Sequence, residues 1–303
     1  MRWIRALLMR LHFLPDAVYL RLAYFFATGR ILHLKNPRTF NEKLNWLKLH
    51  GVGAGYARFV DKLAVRTFIT KTIGAEYLPG YLSVHNQARY IDWFSLPDKY
   101  IAKCTHGSHC SILCRDKKAF DYIAATEKLE GWMRTNWFWY GREKPYKILD
   151  PRVIIERLVA DNPINYKIMC FHGEPEVVQV HKKVDGKQTI DFFVAYGERI
   201  EAKKKGFDNS TYPWIDKAKL KDMLPIARKL AHTIGAPYVR VDLYHEQGRV
   251  WFGELTFYDS AGFKGFEPHS FDIWLGEKIH LPKKGLPNAK NKDSVDKFVR
   301  PSR

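Results

Sequence analysis

The sequence predicts an α+β fold of two or three lobes with a helical segment in front, and three observations carry that prediction. Helical spacing dominates residues 1–74, β-rich runs form a meander between 153 and 196, and a helix followed by a strand hairpin occupies 215–257. At 303 residues, 46% hydrophobic and 15% aromatic, the chain can bury a large core and divide into lobes.

The elements follow in order. In the first fourteen residues Trp3, Ile4, Leu7, Leu8, Leu11 and Leu14 fall at helical spacing, with Arg2, Arg5 and Arg10 off the stripe. A basic amphipathic helix of this kind lies in a membrane interface or docks on the protein's own core, and the pattern leaves both open. A second helix runs from Pro15 to Thr28 and stops at Gly29. In "PRTFNEKLNWLKLHG" Thr39 and Glu42 have capping-box spacing and Gly51 is a natural stop. "DKLAVRTFITKTIG" (61–74) reads as a further helix, with Asp61 near its start and Gly74 at its end. From residue 99 the texture turns to strands: "KYIAKCTH", "VIIERLV", then a meander of "YKIMCF", "EVVQVHKK" and "TIDFFVAY". The aromatic stretch between the first two is partly helical. Leu220, Met223, Leu224, Ala227, Ala231 and Ile234 mark the buried face of a helix over 215–234, ended by Gly235. The strands "YVRVDLY" and "VWFGELTF" follow, joined by the turn "HEQGR".

Charge narrows the function. A formal net charge of +18 predicts an anionic partner. Residues 1–50 carry nine basic and two acidic residues, and 283–303 seven and two. The chain lacks a recognisable nucleic-acid module, and its basic residues are dispersed along helices, so nucleic acid is not expected. There is no convincing secretory signal and no apolar run of the roughly 18 residues a spanning helix needs. A reduced, cytoplasmic protein is expected, with peripheral contact to the inner face of a membrane if the first helix docks there.

Chemistry first becomes legible in the last hairpin. Side chains alternate along a strand, so Arg240 and Asp242 share one face, and Phe252, Glu254 and Thr256 are expected to share one on the return strand. If even positions pair with even, Asp242 and Glu254 lie ~5–8 Å apart. Two carboxylates that close beside an arginine invite a cation between them, and Mg²⁺ completed by phosphate oxygens is a natural occupant. An exposed hairpin whose acids pair with nearby Arg and Lys fits the spacing equally.

The wider pattern resembles a known family. "VRVDLYHEQGRVWFGELTFYDSAG" resembles the metal-binding end of the ATP-grasp superfamily. Together with "NPRTFNEKLNWLKL", "DKLAVRTFI", "LPDKYIAKCTHGS", "RVIIERLV" and "YKIMCFHGEP", it is similar to the TupA-like ATP-grasp family of polysaccharide biosynthesis, in order from about 36 to 276. The resemblance implies an ATP-grasp fold whose two α+β lobes grip ATP. It implies a helical segment over 1–35, an N-terminal subdomain over 36–98, a central lid lobe over 99–160, a metal-bearing C-terminal lobe over 161–282 and a basic tail over 283–303. Lys62 and Lys103 would reach the phosphates, and His106, Gly107 and Ser108 would form the lid over them. Glu156 would sit at the hinge beneath the adenine, with backbone groups of Arg157 and Leu158 reading the base edge. Asn165, where the family usually has an acid, would meet the ribose, and Lys167 would be a further phosphate contact. Asp242, Glu254 and Thr256 would hold Mg²⁺, Thr256 replacing the asparagine usual among ATP-grasp enzymes, and Arg240 would steady the transferred phosphate.

The activity so implied is ADP-forming carboxylate–amine ligation through an acyl phosphate. The implied partners are an anionic glycan or lipid-linked saccharide bearing a uronic acid, an amino acid or amine, and an anionic membrane surface. A metal-dependent glycosyltransferase or an ATP-dependent sugar kinase of the same setting are the alternatives, and the base that deprotonates the amine is not identifiable.

Three of the four cysteines fall in "KCTHGSHCSILC". If "CSILC" is a strand, Cys110 and Cys114 are ~13 Å apart, too far to share a zinc, whereas a helix would allow it. Burial as small apolar side chains is the expectation.

Overall fold

A computed structural model describes residues 11–51, 53–184 and 186–282. The amphipathic stripe before residue 11 and the basic tail 283–303 lie outside the described residues. Among the described residues four α-helices come first: α1 (Asp16–Thr28), α2 (Phe40–His50), α3 (Ala57–Val60) and α4 (Ala64–Thr72). The capping box of α2 is formed, Thr39 accepting from the Glu42 N–H while the Glu42 carboxylate accepts from the N–H of Thr39. Asp61 Oδ1 accepts from Leu63 N and Ala64 N, both at 2.8 Å, and so fixes the start of α4.

The small lobe contains β1 (Tyr81–His85), β2 (Tyr100–Cys104), β3 (Ser111–Cys114), α5 (Tyr122–Met133), α6 (Phe138–Gly141) and β4 (Val153–Arg157). Its antiparallel sheet has the order β1-β4-β2-β3. The core beneath holds Trp93, Tyr100, Leu129 and Trp137 together with Cys104, Cys110 and Cys114. The segment "SILC" is therefore a strand, and the three cysteines are buried thiols. Burial pushes the Cys104 thiol up to about 12, so it behaves as an apolar group.

The large lobe contains β5 (Asn165–Phe171), β6 (Glu174–Val184), β7 (Lys187–Val194), β8 (Arg199–Ile200), β9 (Lys203–Lys204), α7 (Lys217–Ile234), β10 (Tyr238–Glu246), β11 (Arg249–Thr256), β12 (Phe266–Glu267) and α8 (His269–Glu277). Six strands form an antiparallel sheet in the order β11-β10-β5-β6-β7-β8, and β9 pairs with β12. Helix α7 buries Leu220, Met223, Ala227, Leu230 and Ala231 in the same core, with Leu224 and Ile234 at its margin.

The subdomain expected over 36–98 does not form a unit of its own. Phe40, Leu44 and Leu47 of α2, with Val65 and Ile69 of α4, join the core of the large lobe. Strand β1 is instead the edge of the small-lobe sheet, pairing Val84 with Ile154. The reason is burial: the apolar faces of α2 and α4 have no sheet of their own to cover, and a lone strand must find a partner for its backbone. Helix α1 adds a third small core, in which Tyr19, Leu20, Ala23 and Tyr24 pack against Ala261 and Phe263 just beyond β11.

Candidate active site

A cleft of ≈ 730 Å³ opens between the lobes and is lined from both. On the small-lobe side Lys103 of β2 and Glu156 of β4 lie on adjacent strands, Nζ 2.6 Å from Oε2. Arg66 of α4 reaches the other oxygen of Glu156 at 2.9 Å. One buried carboxylate thus ties α4 to the sheet and aims Lys103 along the cleft. Arg157 and Leu158 line the wall beyond it, but the N–H of Arg157 is donated to the Gly80 carbonyl at 2.8 Å. That N–H is therefore already engaged by the residue that precedes β1, and the expected backbone reading of a base would fall to the other backbone groups of Arg157 and Leu158.

The lid loop departs from expectation in one residue. Lys62 Nζ donates to the Gly107 carbonyl at 2.5 Å, and its N–H to Thr105. Ser108 faces the cleft, together with His109, which the sequence reading did not single out. His106 does not: its ring is buried in the small lobe, Nε2 3.2 Å from the Trp132 carbonyl, and burial lowers its pKa. Gly107 is needed for close approach, because a Cβ there would sit 2.2 Å from the indole Nε1 of Trp137.

The large-lobe floor is the strand pair β10–β11 with β5 beside it. Asp242 pairs with Glu254, Arg240 with Thr256, and Lys167 with Asp242 across β5. The even-to-even register is as expected, but only on one side of a bulge. Gly253 has no partner, so Leu243 pairs with Phe252 rather than with residue 253. Phe252 thereby joins the hydrophobic core while Glu254 and Thr256 face the cleft, which corrects the expectation that all three share a face. A Cβ at Gly253 would lie 3.0 Å from the Asp242 carbonyl oxygen, so glycine lets the strands close tightly at the bulge.

Charge on this floor is dense and paired. Arg240 donates from Nε to Asp242 Oδ1 at 2.6 Å and from Nη2 to Oδ2 at 2.8 Å, and Lys167 donates to the same Oδ2 at 2.5 Å. Nη2 also meets Glu254 Oε1 at 3.3 Å and Thr256 Oγ1 at 3.1 Å. Burial alone would raise the Glu254 carboxyl, but Lys167, Lys62, Arg240 and His109 outweigh it and hold it near about 2. Asn165 opens β5 at the cleft wall, its amide donating to the Pro163 carbonyl at 3.1 Å.

Several residues of the floor escaped the sequence reading. Asp259, 1% exposed, lies just after β11 and binds Lys204 at 2.6 Å, Arg240 Nη1 at 3.1 Å and Gln179 Nε2 at 2.6 Å. Burial raises the Asp259 carboxyl and the cations of Lys204 and Arg240 more than reverse it, leaving it well below the usual range. The backbone then passes through three consecutive left-handed residues, Ser260, Ala261 and Gly262, an unusual path for the first two. Lys48 supports that turn by donating to the Ala261 carbonyl at 2.6 Å. Beneath the turn burial lowers Lys48 and raises its neighbour Glu143, which lines the cleft. The signal for Asp259 was present in "ELTFYDSAG": an acid three residues past Thr256, immediately before a Ser-Ala-Gly turn.

The donor set suits a hard divalent cation. Asp242, Glu254 and Thr256 bring oxygen atoms together from facing strands, those of Asp242 already accepting from Arg240 and Lys167, and among the described residues no group of three or more His/Cys/Asp/Glu could hold a metal ion. A partial set of this kind fits Mg²⁺, which takes its remaining ligands from phosphate and water.

Two α+β lobes closing on a cleft with lysines from both sides, above an Arg-x-Asp strand paired with Glu-x-Thr, define the ATP-grasp class. More narrowly, a family profile described as TupA-like ATPgrasp matches residues 42–280, well over half of the chain, and the protein belongs to that family. No curated protein matches it. Among solved structures it is similar to an N5-carboxyaminoimidazole ribonucleotide synthetase in complex with ADP (11% identity, TM-score 0.43, covering 71% of this chain and 50% of that one). It is also similar to D-alanine–D-alanine ligase from Bacillus anthracis complexed with ATP (15%, TM-score 0.40, 74% and 60%) and to an L-amino acid ligase from Bacillus licheniformis (9%, TM-score 0.44, 69% and 43%). The chain thus spans about half the length of these structures.

Proposed function

We propose that the protein is an ADP-forming carboxylate–amine ligase that uses ATP to activate a uronic acid of an anionic glycan and joins it to an amino acid or amine. The observation that carries this reading is the convergence of Lys62, Lys103, Lys167 and Arg240 on one cleft above the Asp242–Glu254 pair. Phosphoryl transfer to a carboxylate needs little covalent help from a protein; it needs positioning and neutralisation of charge. Mg²⁺ on Asp242, Glu254 and Thr256 would supply neutralisation at the phosphates. Lys103, held by Glu156, and Lys62, resting on the Gly107 carbonyl, would bind phosphate oxygens across the cleft, and Arg240 would hold the transferred group.

An anionic glycan agrees with the net charge of +18 and with Lys264 in the cleft wall. A membrane-borne acceptor agrees with α1, whose inner face packs on Ala261 at the cleft and whose outer side leaves Phe26 72% exposed and, just before the helix, Phe13 71% exposed. Among the described residues no helix is long and apolar enough to cross a membrane, so contact would be peripheral, drawn by anionic lipid to the basic N-terminal region.

The test is ADP release with MgATP, a panel of uronic-acid oligosaccharides and a panel of amino acids. Amine-dependent ADP release is expected. ADP release that needs a sugar but no amine would make the protein a kinase, and binding of a UDP-sugar in place of ATP would make it a glycosyltransferase. For the membrane, sedimentation with phosphatidylglycerol vesicles should be lost in Phe25→Ser/Phe26→Ser; undiminished sedimentation would remove that part of the reading.

A further inference from the structure

The ligase reading leaves one step without a residue: removal of the proton from the attacking amine. At neutral pH a free amine is largely ammonium, its ordinary pKa being about 7.7–10.4, and the nitrogen must lose a proton to end as an amide. The surroundings of His181 meet this need.

His181 is on β6, across from Asn165 of β5 and therefore diagonal to Lys167, and it lines the cleft. Its hydrogen bonds define its tautomer. Asp259 only accepts, so Gln179 must turn its Nε2 toward it, at 2.6 Å, and its Oε1 the other way. That Oε1 lies 3.2 Å from His181 Nε2. A carbonyl oxygen cannot donate, so Nε2 carries the hydrogen and Nδ1 keeps the lone pair. Nδ1 is approached at 3.3 Å by the side-chain amide of Gln188, which is itself exposed and can yield the position to a substrate. The buried Asp259–Gln179 chain thus holds an imidazole with its basic nitrogen outward, in the manner of a base oriented by a third group.

We infer that His181 is the general base of the ligation step, Nδ1 accepting the proton of the attacking amine. The nitrogen forms the C–N bond to the acyl carbon and the C–O bond to phosphate breaks with its electron pair. The surplus nitrogen proton passes to Nδ1, and the departing phosphate then takes it back from the imidazolium. The inference rests on the ligase reading proposed above. The charged groups facing the ring are Lys167 of β5, Lys204 of β9, Arg240 of β10 and Asp259 after β11. Burial, then the first three of these, push His181 well below its usual value against the single opposing acid, so it stays neutral and ready to accept. The same cations disfavour an ammonium form of the incoming amine.

The experiment uses the full chain, MgATP, a uronic-acid oligosaccharide and either an amino acid or hydroxylamine. Hydroxylamine is neutral at pH 7 and traps an acyl phosphate as hydroxamate without a base. His181→Gln should lower amine ligation ~10²–10⁴-fold while leaving hydroxamate formation within about twofold, which also shows that the variant folds. ¹⁵N spectra of the wild-type protein should show His181 neutral and protonated on Nε2 at pH 7. Ligation by His181→Gln at the wild-type rate, or an Nδ1–H tautomer, would overturn the assignment. Loss of ligation alone in Glu143→Gln with His181→Gln unaffected would transfer the role to Glu143. Absence of any hydroxamate from the wild-type protein across the acceptor panel would overturn the ligase reading itself.

Discussion

The two ends of the cleft manage charge in different ways. At the hinge end a single carboxylate, Glu156, carries two cations, Lys103 and Arg66, both partly open to water. At the strand-pair end Asp242 and Asp259 bracket Arg240 and are themselves held by Lys167 and Lys204, nearly all out of solvent. The first arrangement can release Lys103 at modest cost, because water reaches the lysine and Arg66 still holds the buried Glu156. The second cannot lose a member without leaving a buried charge alone. One end is adjustable and suits a lysine that must follow a ligand. The other is an over-determined scaffold that fixes Arg240 and, through Gln179, the ring of His181.

The sharpest way to break this comparison is to remove one acid from each end. Asp259→Ala leaves Lys204 and Arg240 uncompensated and should cost about 3–5 kcal/mol of stability in urea unfolding. Glu156→Gln should cost about 1 kcal/mol by the same measurement, its partners being partly hydrated. Equal losses would mean that the two ends are alike after all. Glu254 separates function from scaffold within the strand-pair end, since its side chain is 36% exposed and meets Arg240 at 3.3 Å rather than in a short ion pair. Glu254→Gln should lower ATP-dependent ADP release ~10²–10³-fold while lowering the melting temperature less than Asp259→Ala does. A large drop in melting temperature would instead make Glu254 part of the scaffold.

Acid offers a gentler probe. The Glu254 pKa is lowered on folding from 4.5 to about 2. A carboxylate with a depressed folded value stabilises the fold above its unfolded pKa, and that contribution is lost as pH falls from 4.5 toward 2. Asp259 shifts in the same direction. Unfolding midpoints followed from pH 6 downward should therefore fall mainly below about pH 4.5, and less steeply in Glu254→Gln. An unaltered pH profile in that variant would show that the cations around Glu254 do not stabilise its ionised form.

Much of this was legible in sequence because it depends on local rules. The capping box of α2 and the hairpin β10–β11 follow from spacing alone, and the face shared by Arg240, Asp242, Glu254 and Thr256 follows once even positions pair with even. What escaped depends on contacts far apart in the chain. The bulge at Gly253 moves Phe252 into the core, and a simple alternation cannot register an extra residue. β1 pairs with β4 some seventy residues later, which no turn signal announces. His106 turns inward because Trp132 of α5 offers a carbonyl there. His181 could have been noticed: in "EVVQVHKK" Val178 and Val180 alternate with Gln179 and His181, which marks the latter pair as the polar face of a half-buried strand.

The smallest expected effect concerns Thr256, where the chain departs from the asparagine usual among ATP-grasp enzymes. Its hydroxyl accepts from Arg240 Nη2 at 3.1 Å, so it serves the scaffold as well as any metal. An asparagine carbonyl is the better ligand for Mg²⁺ and can also accept from the arginine, but it is longer and must be accommodated above the β10–β11 pair. Thr256→Asn should lower the Mg²⁺ concentration for half-maximal ADP release about 2–5-fold, equivalent to roughly 0.5–1 kcal/mol, with stability changed by less than about 1 kcal/mol. If the Mg²⁺ requirement rises instead, the hydroxyl matters chiefly as a rest for Arg240. The strand-pair end would then be a scaffold first and a metal site second.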